Sequence, residues 1–139
     1  MTILVNLPIT TALSATRTSP LQFRAPRQMA TNVLLWAVFT YGSGGTTADA
    51  YVQTSIDGTN WIDVANFHFT TSSGKALFNL YSGTAHTTQL TSFTDGSLTA
   101  NTSLDGVVGN LWAVKYVTTG TYAGGTILRV DMISNGLTA

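Results

Sequence analysis

The chain contains no cysteine, which excludes a disulfide framework and any thiolate metal site. Glutamate is missing too. The six acids are all aspartate, and charged residues amount to 9% of the sequence, against about a quarter in ordinary soluble domains. So few acids serve paired-carboxylate hydrolysis poorly: they are dispersed, and Asp57, Asp95 and Asp105 each precede a glycine in a turn signal that already employs them. No stretch approaches the ~20 uninterrupted apolar residues of a membrane span. The apolar start Ile3-Leu4-Val5 has no basic segment before it and is interrupted by Asn6 and Pro8, so neither a signal peptide nor a membrane partner is expected. Basic residues are equally scarce. The net charge is zero, and without a basic stripe there is no counterion release to drive nucleic-acid binding.

What is present suits strands. Threonine leads the composition, with many Ser, Gly and Asn, a mixture poor in helix formers and apt for pleated strands and tight turns. The 139 residues fit one domain, long enough to bury roughly two thirds of the surface its unfolded chain exposes. Charge is unevenly spread along it: Arg17, Arg24 and Arg27 give +3 before the first acid, Asp49, after which six Asp against three bases give −3. Either this is scatter among few charges, or the N-terminal segment docks on an acidic neighbour.

Residues 1–28 carry Pro8, Pro20 and Pro26, which lack a ladder N–H and confine strands here to edges. They read as an extended arm whose alternating Ile3, Val5, Leu7, Leu21 and Phe23 can add a strand to the body or to a neighbouring subunit. The run from Thr31 to Tyr41 is apolar on both alternating faces and predicts a central strand covered on both sides, ended by Gly42-Ser43-Gly44-Gly45. Strands follow over Ala50 to Ile56 and Trp61 to Val64, turned by Asp57-Gly58, and from Lys75 to Tyr81. Residues 82–110 are hydroxyl-rich, and Asp95-Gly96 and Asp105-Gly106 predict short hairpins inside a long contact loop. Leu111 to Thr118 and Thr126 to Ser134 alternate cleanly and read as a C-terminal hairpin. The expected fold is an all-β antiparallel sandwich or jelly roll of about seven to eight strands, residues 29–139, preceded by the arm.

Chemistry is hard to find. His68 and His86 stand apart without further ligands, so no metal or other cofactor is expected. A Ser55, His68 and Asp63 triad can be written, but Ser55 occupies no nucleophile elbow and nothing supplies an oxyanion hole. No catalytic residue is assigned and the expected protein is not an enzyme. Aromatic stacking on a sugar falls to Trp61 beside its turn, because Trp36 and Trp112 lie in strand patterns that point to a core.

The stretch Val52-Gln53-Thr54-Ser55-Ile56-Asp57-Gly58-Thr59-Asn60-Trp61 resembles the V-Q-x-S-x-D-G-x-N-W hairpin of small tailed-bacteriophage virion structural proteins. It also looks like the matching hairpin of discoidin-like β-sandwiches, whose sugar- or lipid-binding loops have no counterpart here. The phage resemblance implies a head decoration or cement protein, assembled in the host cytoplasm into the virion. Its implied partners are the major capsid protein or other virion proteins and further copies of itself, with a trimer favoured. Arg17, Leu21, Phe23, Arg24 and Arg27 are the expected arm contacts, and Asp57, Gly58 and Trp61 the defining turn. A neck, tail or fibre component and a host-glycan binding module using Trp61 and the 82–110 loop are the alternatives.

Overall fold

A computed structural model describes residues 2–9, 16–18, 21–22, 32–91 and 93–134. Every regular element among them is a strand. In chain order these are β1 (Thr2–Pro8), β2 (Thr16–Arg17), β3 (Leu21–Gln22), β4 (Asn32–Thr40), β5 (Ser43–Gly44) and β6 (Thr47–Ser55). They continue with β7 (Ile62–Phe69), β8 (Gly74–Tyr81), β9 (Leu111–Thr119), β10 (Tyr122–Ala123) and β11 (Ile127–Ser134).

Two antiparallel sheets result. The front sheet has the order β1-β11-β4-β8, and the back sheet runs β2-β9-β6-β7 with β3 also on β9. With β2 and β3 counted as one interrupted strand and the small β5–β10 pair set aside, successive strands cross between two four-stranded sheets, except that β6 and β7 are neighbours in the back one, in the order of a jelly roll.

Period-two burial explains the layering. Along β4, Val33, Leu35, Ala37 and Phe39 are buried while Asn32, Leu34, Trp36 and Thr40 are exposed. The same inward set comes from Leu80 of β8 and from Leu128, Val130 and Met132 of β11. Facing it across the core are Ala48, Ala50 and Val52 of β6, Phe67 and Phe69 of β7, and Trp112 and Val114 of β9. Each fully buried Val, Leu or Phe contributes about 1.5–3 kcal/mol relative to exposure, so these faces account for most of the drive to fold.

Aromatic rings close one end. Phe39 stacks on Phe69 with centroids 4.9 Å apart, and Tyr122 meets Phe39 edge-on at 5.8 Å while its hydroxyl donates to the Thr70 carbonyl at 2.7 Å. Gly45 has φ +69°, and a Cβ there would lie 2.4 Å from the Tyr122 ring, so only glycine lets the β4–β6 link cross this end.

Three expectations change. First, β9 and β11 do not form a hairpin: β9 pairs with β6 in the back sheet and β11 with β4 and β1 in the front. Alternation reports which face of a strand is buried and not which strand lies beside it, so the two apolar faces meet across the core instead of side by side. Second, β4 is central but covered on one side only, with Leu34 and Trp36 each 37% exposed. Third, the described part of 82–110 forms turns and a single bridge, Ser103 to Ala65, without a named strand.

The first 28 residues do not part from the body at their described positions. β1 is an edge strand on β11, with a bulge between Ile3 and Val5, and Leu4, Val5 and Ile9 belong to the core. β2 and β3 lie on the free edge of β9.

Candidate interaction surface

The two outer faces of the sandwich differ in chemistry. The back face is polar and roofed. Its hub is Asp63, 1% exposed. One carboxylate oxygen accepts from Gln53 Nε2 at 2.8 Å, and the other accepts from Thr94 Oγ1 (2.7 Å) and from the N–H groups of Gly96 (2.7 Å), Ser97 (3.0 Å) and Leu98 (3.2 Å). Gln53 also donates to Asp95, which Lys115 Nζ reaches at 3.1 Å. Farther along, Asn66 Nδ2 donates to the Leu98 carbonyl at 2.9 Å, so the loop after residue 93 is fastened over the sheet by its own backbone. Five donors converge on this one buried carboxylate and satisfy its oxygens by hydrogen bonds.

The front face is bare, apolar around Leu34 and Trp36 and polar in the row where Asn6, Arg129 and Lys75 lie beside Val38. Strand register sets its rows: Ile3, Asp131, Trp36 and Leu77 lie side by side across the four strands, with Ile133, Leu34 and Asn79 in the next row and Tyr81 beyond. Exposure is 46% for Ile3, 54% for Leu77 and Ile133, and 50% for Tyr81, besides the 37% of Leu34 and Trp36. At these fractions the six side chains leave on the order of 500 Å² of side-chain surface in water, the size of patch that marks an interaction site on a monomer. Leu34, Trp36, Asp131 and Ile133 line a shallow concavity of about 290 Å³. Its charge is neutralised within the face: Arg129 Nε donates to both Asp131 oxygens, at 3.2 and 2.9 Å, and the Asp131 side chain is 8% exposed.

At one end of the molecule the 57–60 turn is locked by its own acid. Asp57 accepts from the N–H of Thr59 and of Asn60, both at 2.8 Å, and from Asn60 Nδ2 at 2.6 Å, while Gly58 turns at φ 77°. These bonds to the charged form, the backbone ones foremost, hold the Asp57 carboxyl far below its ordinary value of 3.8. Trp61 folds under the turn, 6% exposed, with Nε1 donating to the Gly58 carbonyl at 3.2 Å. The tip therefore presents Ile56, 83% exposed, above a cleft of about 170 Å³ floored by Val107 and Val108. Because the folded pKa is lowered, the turn's stabilisation is present above the unfolded value and lost only as pH falls through the folded one. A carboxyl-carbon NMR titration is expected to show Asp57 still ionised at pH 3, where unperturbed aspartates of about 3.9 are mostly protonated.

The other expected residues are distributed as follows. Leu21 and Arg17 sit in β3 and β2, opposite Trp112 and Lys115, whereas Phe23, Arg24 and Arg27 lie outside the described residues. Asp57 and Gly58 make the turn between β6 and β7, but Trp61 offers no free ring to a sugar. Trp36 is the exposed one, the reverse of the expectation from flanking residues. Ser55, His68 and Asp63 form no triad: Ser55 Oγ donates to Asp57, and His68 Nδ1 pairs with Asp49 at 2.7 Å. His86 Nε2 donates to the Asp105 carbonyl at 2.7 Å, and the Asp105 carboxylate takes the Tyr81 N–H, whose bond lowers its pKa.

Among the described residues no helix is long and apolar enough to cross a membrane. The chain matches no protein-family model, no curated protein and no solved structure.

Proposed function

We propose that this chain is a non-enzymatic structural subunit of a virion, specifically a capsid decoration or cement protein that works by assembly on the head shell. The observation that carries the reading is the contrast between the roofed polar back face and the apolar patch on the bare front face, an arrangement expected of an assembly surface. Two further features support it. The Val52 to Trp61 hairpin resembles that of tailed-phage virion proteins, and its turn is stiffened by Asp57. Jelly rolls also build viral capsid domains, although the same fold builds lectins, so architecture alone does not choose between them.

The reading is tested in the particle. A decoration subunit is expected at hundreds of copies per particle by quantitative mass spectrometry, on the order of the shell's own subunit count, whereas a handful would place it on the neck, tail or fibre axis. Leu77→Lys combined with Ile133→Lys puts two charges on the front face at half-exposed positions. Burying unpaired lysines at an interface is costly, so incorporation is expected to fall at least about tenfold while the circular dichroism spectrum is kept. Undiminished incorporation of the folded variant would remove the front face from the assembly.

A further inference from the structure

We infer that the occupant of the front face is a second copy of this chain, packed sheet to sheet about a twofold axis near Trp36. The inference rests on reading that face as an assembly surface.

Three observations choose a copy over another partner. The first is charge. Arg129 and Asp131 pair within the face, Lys75 at its β8 edge is the other charged side chain there among the described residues, and the whole chain has a net charge of zero, so two copies approach with little mutual repulsion. The second is area. A four-stranded sheet with strands of eight or nine residues offers a face of roughly 19 by 26 Å from strand spacing and rise, and β4, β8 and β11 have these lengths. Two such faces together remove on the order of 1,000 Å² or more from water, the threshold for a specific interface. The third is shape. The face is built of strand rows, and the natural complement of one twisted sheet is another, about 10 Å away and rotated by roughly 30°.

Closure follows from symmetry. One self-complementary patch per subunit is satisfied by one partner, so the assembly stops at two, whereas the trimer implied by the phage resemblance would need two different patches. Trp36 reports the event directly. Of the three tryptophans, Trp61 and Trp112 are 6% and 0% exposed, so a change in water contact on pairing falls on Trp36.

The test is sedimentation of the purified full chain across a dilution series from tens of micromolar downward, read with tryptophan emission. The expected result is a species of twice 14.7 kDa that dissociates on dilution with a red shift in emission. Leu77→Lys with Ile133→Lys should weaken pairing by on the order of a hundredfold at unchanged circular dichroism. Trp36→Phe should keep the dimer and abolish the shift. A 14.7 kDa species throughout the series, or a folded lysine variant that pairs as tightly as the parent, would overturn the inference. The two readings fail separately. A monomeric parent whose lysine variant is still excluded from particles makes the shell the occupant, whereas a dimer that never enters particles sinks the virion assignment alone.

Discussion

Removal of residues 1–9 is expected to abolish cooperative folding, not to leave a trimmed but intact body. Leu4, Val5 and Ile9 are 6%, 4% and 0% exposed. At about 1.5–3 kcal/mol for each buried aliphatic side chain, their loss approaches 5–9 kcal/mol, against a typical total stability of 5–15 kcal/mol. The loss is compounded because β1 pairs along β11 from Thr2 to Pro8, and without it β11 becomes an unpaired edge. Urea unfolding followed by circular dichroism is the measurement. The milder Ile9→Ala should cost about 2–5 kcal/mol, the range for large-to-small changes in a packed core. A truncated chain that still unfolds in one sharp transition would mean that β1 is an appendage.

Asp63→Ala is expected to be the most damaging polar substitution, at about 3–5 kcal/mol, the upper range for a single change. The carboxylate is the common acceptor of Gln53, Thr94 and three consecutive backbone N–H groups, and alanine leaves all of them to be satisfied by whatever water enters. The effect should be local before it is global. Hydrogen exchange at Gly96, Ser97 and Leu98 should accelerate in conditions where β4 and β11 stay protected. Asp63→Asn keeps one acceptor oxygen and is expected to lose less. Unchanged exchange in the Ala variant would show that the roof is held by other contacts, such as Asn66 to Leu98.

The layered all-β character was legible because strand side chains alternate between faces, as where β11 sets Leu128, Val130 and Met132 against Arg129 and Asp131, whereas the run of β4 is apolar on both faces and did not show which one is buried. The Asp57-Gly58 turn was legible from local chemistry, which operates within four residues. Pairing was not. Leu111–Thr119 and Ile127–Ser134 have the composition of hairpin partners, yet the link between them passes over the end of the sandwich through β10. Trp36 and Trp61 exchanged roles for a related reason. An apolar neighbourhood around Trp36 looks the same whether it faces the protein's own core or an interface, and proximity of Trp61 to a turn says nothing about the turn folding over it. The Asp63 hub was invisible because its donors from the loop lie 31 to 35 residues downstream and three are backbone groups with no side-chain signature.

The strand order has a consequence for biogenesis. β11 lies between β1 and β4, so the front sheet is split by an empty slot until residues 127–134 have left the ribosome. Until then the inward aromatic and aliphatic rows of the nascent chain have no lid, and long-range pairing of this kind is slow and prone to off-pathway association. β11 acts as a keystone, and the apolar rows made before it stay open to other chains until it is seated.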